Sequence, residues 1–374
     1  MVVKKMVNPF KPTAGAEPPV LAGRRRVIDD FIDGLDEGIG APGRLMRITG
    51  PRGSGKTVLL TELGDIARKR GWLVVDETAR EGLIDRLIAA VSPRKSRANV
   101  SADFDFGVVK AHAGLGGETA SLTLREALSA ALSHPGECGE GIFITLDEVQ
   151  DAQRSEISEI ATTVQHLIRE RKNIAFAFAG ITTGVMDLID DSALTFLRRA
   201  KAEELAAIPV ADVAEALSKS FDLTGLRIEG RALERAAEAS RGYAFLVQLV
   251  GYSVWRNVRA HADESHNASI EDVDLGVSDA MAQFDETVIL PALSKLPKRC
   301  MTYLVEMSKN DGACSTGDIA RAMGIAASSL TSARRTLISR QVIESTARGY
   351  VDFSIPLMRE YVRDNEDELM SRFG

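Results

Sequence analysis

One eight-residue segment near the start of the chain, GPRGSGKT at positions 50–57, limits the possible fold more than any other. It matches the pattern G-x-x-x-x-G-K-[ST] of a phosphate-binding loop, which requires a strand before it and a helix after it. The apolar run Leu45–Thr49 indicates a strand, and apolar residues at helical spacing from Val58 onwards indicate a helix. The sequence therefore predicts a loop that binds phosphate groups between these two elements.

The residue types of this loop suit a nucleoside triphosphate with its magnesium ion. Glycines allow the backbone torsions that direct successive amides at a phosphate, and the following helix adds the positive end of its dipole. Lys56 is expected to reach the β- and γ-phosphates, and the Thr57 hydroxyl to ligate Mg²⁺. The competing interpretation is a glycine-rich turn before a helix. The predicted nucleotide-binding residues of the loop are Gly50, Pro51, Arg52, Gly53, Ser54, Gly55, Lys56, Thr57 and Val58.

Two adjacent carboxylates follow a second apolar run, at positions 142–146. Nucleotide sites open at the carboxyl ends of parallel strands, where this pair is expected to lie. Asp147 is predicted to hold Mg²⁺, and Glu148 to orient and polarise the water that attacks the γ-phosphate. The alternative is that both acids begin the next helix, where they suit its dipole.

Strands and amphipathic helices alternate between residues 27 and 179, which predicts an α/β fold with a parallel sheet wrapped by helices. Alanine-rich helices follow from residue 210, and three helices with a β-like pair from about residue 295 indicate a winged helix. Residues 92–140 fit this pattern poorly and are interpreted as an insertion, with β-like alternation at 103–113. The predicted domains are an extended arm at 1–19, an ATPase core at 20–208, a helical lid at 209–292, a winged-helix domain at 293–360 and an acidic tail at 361–374.

The predicted winged helix has a charge opposite to that of the whole chain. Residues 295–357 contain nine Lys and Arg against five Asp and Glu, a net charge of +4 in a chain of net charge −7. Such a local positive charge favours double-stranded DNA as a partner. A protein-docking or autoinhibitory module remains the alternative. The predicted DNA contacts are Ser328, Ser329, Thr331, Ser332 and Arg335 on the third helix and Arg348 at the wing tip.

Several motifs together resemble one family. These are LAGR at positions 21–24, the loop GPRGSGKT, the strand LDEVQ at 146–150 and SRGY at 240–243 in a helical segment before a winged helix. They resemble the AAA+ ATPases of the origin-recognition type, and more closely bacterial ATP-binding proteins with the same NPF…LAGR opening. The resemblance implies the P-loop fold, ATP and Mg²⁺ as ligands, and hydrolysis of ATP.

The resemblance also implies roles for individual residues. Gly23 and Arg24 would lie against the adenine, Thr182 or Thr183 would sense the γ-phosphate, and Arg199 would reach a phosphate across a subunit boundary. Residue chemistry alone allows a solvated basic cluster at 24–26, a helix cap at 182–183 and an exposed arginine pair at 198–199. The lid arginine of some relatives is not matched, because Phe245 stands in its place.

Two functions remain open at this level. One is an ATPase whose nucleotide state controls a DNA-binding winged helix; the other is an ATP-gated signalling or assembly scaffold of low turnover whose winged helix docks a protein. Both are compatible with a homo-oligomer. No apolar run of membrane-spanning or signal-peptide length is found, so a cytoplasmic protein is expected. Three cysteines without paired spacing argue against a disulfide framework or a zinc site.

Overall fold

The structure is a computed structural model that describes residues 7–13, 15–92, 122–133, 139–190, 194–261 and 266–373. The chain forms two compact units. The sheet unit comprises Val27–Thr49 and Leu59–Glu203. The lid unit comprises Met1–Arg26, Gly50–Val58 and Glu204–Gly374, so the residues of the phosphate loop group with the C-terminal half of the chain.

A five-stranded sheet in the order β2-β3-β4-β1-β5 forms the centre of the sheet unit. Its strands are β1 (Leu45–Thr49), β2 (Leu73–Thr78), β3 (Ile142–Asp147), β4 (Ile174–Gly180) and β5 (Lys201–Glu204). The pairs β2–β3, β3–β4 and β4–β1 are parallel. All seven residues of β4 are buried, because helices cover both faces of the sheet. This explains its continuous apolar sequence.

Of the six described helices in the first half of the chain, the first five lie where the apolar spacing predicts them, and the sixth was not predicted. They are α1 (Arg25–Glu37), α2 (Lys56–Lys69), α3 (Leu83–Val91), α4 (Leu124–Ala131), α5 (Arg154–Arg169) and α6 (Thr182–Ile189). Helix α4 begins with a capping box, in which the side chains of Thr123 and Glu126 each accept a hydrogen bond from the other's backbone amide. The predicted β-like stretch 103–113 lies outside the described residues.

The lid unit contains the remaining helices and a small sheet. The helices are α7 (Val210–Asp222), α8 (Gly230–Ala239), α9 (Ala244–His261), α10 (Ile270–Phe284), α11 (Leu290–Leu293), α12 (Lys298–Ser308), α13 (Thr316–Ala322), α14 (Thr331–Ser339), α15 (Met358–Asp364) and α16 (Glu366–Phe373). A π-helical turn, Asp285–Ile289, joins α10 to α11. One buried apolar core runs through this unit, from Phe10 in the N-terminal arm to Leu369 in α16.

The C-terminal part contains three helices, α12, α13 and α14, and an antiparallel sheet, an arrangement compatible with a winged helix. The strands β6 (Cys314–Ser315), β7 (Ile343–Ala347) and β8 (Tyr350–Phe353) lie in the order β6-β8-β7. The predicted third helix, 327–339, is divided into a 3₁₀ turn, Ala327–Leu330, and α14. The predicted fold class is thus confirmed: a P-loop sheet wrapped by helices, followed by a helical part and by C-terminal elements that are compatible with a winged helix.

Two features of the C-terminal half differ from the sequence interpretation. Helix α10 was not predicted, although it packs extensively on α9 and contributes Phe284 to the core. The stretch 361–374, interpreted as an acidic tail, is helical up to Phe373, because Val362 and Leu369 are buried against the winged helix. Charged residues dominate its sequence and hide these two apolar positions.

Two expectations from composition can be compared with the described residues. Cys300 and Cys314 are buried free thiols, whereas Cys138 lies outside the described part of the chain. Burial raises the pKa of both described thiols. Within the described ranges, every helix is too short or too polar to cross a membrane.

Candidate functional site

Four strands of the sheet end together at one edge. In the parallel register, Thr49 of β1 pairs with Gly180 of β4, and Thr78 of β2 pairs with Asp147 of β3. The phosphate loop begins at the residue after Thr49, and the predicted acidic pair begins at Asp147. The carboxyl edge of this sheet is where α/β folds bind ligands, because the connections to the helices leave a crevice there.

The phosphate loop holds its lysine in a buried position. Lys56 is only 5% exposed, and its Nζ donates hydrogen bonds to the carbonyls of Gly50 (3.0 Å) and Pro51 (2.9 Å). A buried ammonium group is costly unless it has oxygen partners, so this arrangement favours an anion beside the loop. Ser54 Oγ is buried and has no hydrogen-bond partner among the described residues. An orphaned hydroxyl within the loop fits a site that accepts a polar ligand.

The lid contacts the phosphate loop directly. Tyr243 Oη donates a hydrogen bond to the Arg52 carbonyl at 2.6 Å, and the Phe245 amide donates to the Gly53 carbonyl at 3.3 Å. Burial raises the pKa of Tyr243 to about 12, so its hydroxyl remains a neutral donor at physiological pH. Tyr243 was not recognised as a functional residue from the sequence, although the lid motif SRGY contains it.

Arg24 binds the same loop from the N-terminal side. Its Nη2 donates to the carbonyls of Ser54 (3.2 Å) and Ala206 (3.3 Å), and burial lowers the pKa of its guanidinium. Gly23 lies against Ile208, where an added Cβ would come within 2.8 Å of the isoleucine side chain. Arg24 is therefore not a solvated basic residue. Arg24 thus lies beside the phosphate loop, and the role of both residues towards adenine stays a prediction.

The acidic pair is half-exposed at the end of β3. Glu148 adopts a left-handed backbone conformation with φ 53°, which is uncommon for a residue other than glycine. Its Oε2 accepts a hydrogen bond from Gln150 Nε2 at 2.6 Å. Glu148 precedes a 3₁₀ turn, Val149–Asp151, rather than a long helix. The interpretation that the acids begin a helix therefore applies only to this short turn.

Gln150 connects Glu148 with the end of β4. Its Oε1 accepts a hydrogen bond from the Ile181 amide at 3.2 Å. Two glycines make room for it: a Cβ at Gly184 would lie 2.5 Å from Gln150 Cβ, and one at Gly180 would overlap Gln150 Oε1. Gln150 was missed from the sequence. The only signal was its place in LDEVQ, because the glycines that accommodate it lie in β4 and α6, distant in sequence.

The two remaining positions taken from the resemblance lie on the sheet unit. Helix α6 starts after Ile181, which is its N-cap residue, so neither Thr182 nor Thr183 caps the helix and that alternative is wrong. Arg198 donates hydrogen bonds to the carbonyls of Ile189 and Asp190. Arg199 is exposed and has no ion pair or hydrogen bond from its side chain within the described ranges, which distinguishes it from Arg198.

The predicted DNA-contacting residues share one property. Each is exposed on the winged helix, while Leu330, Ala333 and Leu337 of the same segment are buried. This set comprises Ser328, Ser329, Thr331, Ser332, Arg335 and Arg348. Arg335 and Arg348 form no ion pair with any described residue, whereas the nearby Arg321 is paired with Asp318 at 2.6 Å.

Comparison with known proteins agrees with this geometry. Residues 20–177 match the family described as AAA ATPase domain, and residues 286–362 match a domain of unknown function, DUF8462. No curated protein matches the sequence. The predicted resemblance to AAA+ P-loop ATPases is confirmed by this match, and the likeness to the origin-recognition type is one of fold.

Three solved structures share the fold over nearly their whole length. The Walker-type ATPase PABY2304 of Pyrococcus abyssi has a TM-score of 0.61 and 17% identity, covering 92% of this chain and 96% of that one. The ORC2 protein of Aeropyrum pernix, in ADPNP–ADP complexes, has a TM-score of 0.57 and 14% identity, covering 96% and 97%. CDC6P from Pyrobaculum aerophilum has a TM-score of 0.51 and 15% identity, also covering 96% and 97%.

Proposed function

We propose that the protein is a Mg²⁺-dependent ATPase whose nucleotide state controls a DNA-binding winged helix. The observation that carries the first half is the buried ammonium group of Lys56 in a loop that leaves Ser54 Oγ without a partner. The strand that leads into this loop belongs to the same sheet as β3. The acidic pair at the carboxyl end of β3 supports hydrolysis. Release of phosphate from ATP, measured in the presence and absence of Mg²⁺, tests the proposal.

Each residue of the site then has a defined task. Backbone amides of residues 53–57 donate hydrogen bonds to phosphate oxygens, and Lys56 offsets their negative charge. Glu148 orients the attacking water and accepts its proton. The exposed Thr57 hydroxyl and the half-exposed Asp147 carboxylate are oxygen donors of the kind that Mg²⁺ prefers, and they would hold it. When bound, Mg²⁺ neutralises charge on the phosphates.

Thr182 and Arg199 complete the proposed site. Thr182 lies two residues beyond Gly180, at the carboxyl edge of β4, which is a suitable position for sensing the γ-phosphate. Arg199 is exposed and free of internal ion pairs in the described residues, so it is available to a phosphate bound by a neighbouring copy. A homo-oligomer would be required for that role. Comparing the molar mass in solution with ATP and with ADP tests it.

Gln150 is proposed to position Glu148. We expect Gln150→Leu to lower kcat roughly ten-fold, because a hydrogen bond to a charged group is worth about 1.5 kcal/mol or more. The KM and the dissociation constant for ATP are expected to change little, since Gln150 bonds to Glu148 and Ile181. Steady-state phosphate release and equilibrium binding of ATP provide the two measurements.

Gln153→Leu is the matched control, because Gln153 is exposed and lies three residues further along the chain. It is expected to hydrolyse ATP at the wild-type rate. If Gln150→Leu changes KM but leaves kcat intact, the positioning role of Gln150 is wrong.

The second half of the proposal concerns DNA. Its support is the local charge of +4 in residues 295–357 and the exposure of the polar third helix and wing tip. The lid and the winged helix share one buried core, with Phe284 and Leu293 between them, so a movement of the lid would be transmitted to the winged helix. The solved ORC2 and CDC6P structures support this proposal only in that they share the fold of this chain.

The double substitution Arg335→Ala with Arg348→Ala is expected to weaken binding to duplex DNA. Each lost phosphate contact lowers the slope of log affinity against log salt by about 0.9. Two lost contacts would therefore reduce the slope by nearly two. Titration of a labelled duplex at several salt concentrations, with and without ATP, measures this slope.

Arg235→Ala serves as the control for charge alone, because Arg235 is exposed on α8 and paired with Asp274. It should leave the salt slope unchanged. If the wild-type protein does not bind a duplex even at low salt, the DNA half of the proposal is wrong. The alternative, an ATP-gated scaffold of low turnover that docks a protein partner through its winged helix, would then be favoured.

A further inference from the structure

Two consecutive carbonyls of the phosphate loop are held by the lid. The Arg52 carbonyl accepts from Tyr243 Oη, and the Gly53 carbonyl accepts from the Phe245 amide. In a backbone nest, the amides point towards the anion and the carbonyls point away from it. These hydrogen bonds therefore hold the loop from one side, and a phosphate would bind on the opposite side.

Tyr243 occupies the space that a side chain at residue 53 would need. A Cβ at Gly53 would lie 2.5 Å from Tyr243 Cζ and closer still to the hydroxyl. The backbone of Gly53 has φ +73°, so glycine is favoured here for both conformation and space. The tyrosine ring also packs edge-on against Phe284 of α10, with ring centroids 6.2 Å apart. Tyr243 thus links the loop to the core of the lid.

Phe245 occupies the lid position at which some related proteins carry an arginine. Its backbone amide, rather than a charged side chain, donates a hydrogen bond to the phosphate loop. We propose that Tyr243 is a positioning residue: by holding the carbonyls of residues 52 and 53, the docked lid arranges the loop amides before a nucleotide binds. The inference rests on the proposed function, because it takes the loop to be the phosphate site.

A thermodynamic consequence follows from this arrangement. If lid docking increases the affinity of the loop for phosphate, phosphate binding must strengthen lid docking by the same factor. Mg-ATP is then expected to protect the Phe245 amide from hydrogen exchange, since that amide donates to Gly53. A tyrosine that only fills space in the lid would not produce this reciprocal effect.

The experiment compares Tyr243→Phe with wild type in the full-length protein. This change keeps the ring and removes the hydroxyl that donates to Arg52. We expect the dissociation constant of Mg-ATP, measured by calorimetry, to rise roughly five- to ten-fold, the effect of one lost hydrogen bond. The ATP-induced protection of the Phe245 amide is expected to shrink in the variant. Tyr350→Phe, at an exposed tyrosine of the wing, is the matched control and should leave both quantities unchanged.

The outcomes separate this inference from the proposed function. If wild type binds Mg-ATP, Lys56→Ala does not, and Tyr243→Phe binds as wild type does, only the role of Tyr243 is overturned. If wild type itself does not bind Mg-ATP, both are overturned. The hydrogen-exchange rate of the Phe245 amide in wild type, measured with and without Mg-ATP, is a second test that does not depend on how the variant folds. Equal exchange rates would also overturn the inference.

Discussion

Replacing Lys56 with alanine is expected to abolish measurable binding of Mg-ATP. The substitution removes a buried ammonium group from a loop in which it already bonds to the carbonyls of Gly50 and Pro51. Charge-assisted hydrogen bonds contribute about 1.5–3 kcal/mol each, so the loss of two or more lowers affinity on the order of a hundredfold or more. Thermal unfolding with and without Mg-ATP measures this, because a ligand at one hundred times its Kd stabilises by about 2.7 kcal/mol.

Lys69→Ala is the appropriate control for the loss of a lysine from the same helix. Lys69 is exposed at the last residue of α2, and its removal should leave the stabilisation by Mg-ATP intact. Stabilisation of the Lys56→Ala variant by Mg-ATP to the wild-type extent would mean that the nucleotide binds elsewhere.

The substitution Glu148→Gln is expected to preserve ATP binding and to lower kcat by about 10²–10⁴, the usual contribution of a general base. Glutamine has the same shape and retains an oxygen that can accept from Gln150, so the local structure should persist. It cannot accept the proton of the attacking water. Phosphate release at saturating ATP, together with the dissociation constant for ATP, distinguishes the loss of chemistry from the loss of binding.

Glu159→Gln provides the control, because Glu159 is an exposed carboxylate on α5. Its turnover is expected to equal that of wild type. Hydrolysis by Glu148→Gln at the wild-type rate would exclude Glu148 as the base and leave the proton acceptor to another group.

Much of the N-terminal half of the chain could be predicted because its sequence signals are local. The strand Leu45–Thr49 and the helix Leu83–Val91 have the bounds that their apolar patterns predicted. Each apolar pattern is formed by residues that are close in sequence and are buried on the same face of one strand or helix. The phosphate loop was recognisable for the same reason: its chemistry is carried by eight consecutive residues.

Other features were missed for different reasons. Helix α10 carries local signals that the sequence interpretation did not use, namely the capping box of Ser269 and Asp272 and the buried residues Val273, Val277 and Phe284 at helical spacing. The predicted third helix of the winged helix is divided at Leu330, a buried residue that ends a 3₁₀ turn. That division does not follow from helical periodicity, since tertiary packing outweighs local preference in short segments.

The amino-acid sequence by itself determined most of the strands and helices, the phosphate loop and the acidic pair, because each is written in a run of adjacent residues. Only the tertiary structure decided which distant residues serve that site. Tyr243 meets the carbonyl of Arg52 across 191 positions of sequence, and Gln150 fits between Glu148 and two glycines, Gly180 of β4 and Gly184 of α6. Such contacts arise when strands and helices bury their apolar faces together, and that packing is a property of the whole chain rather than of any one segment.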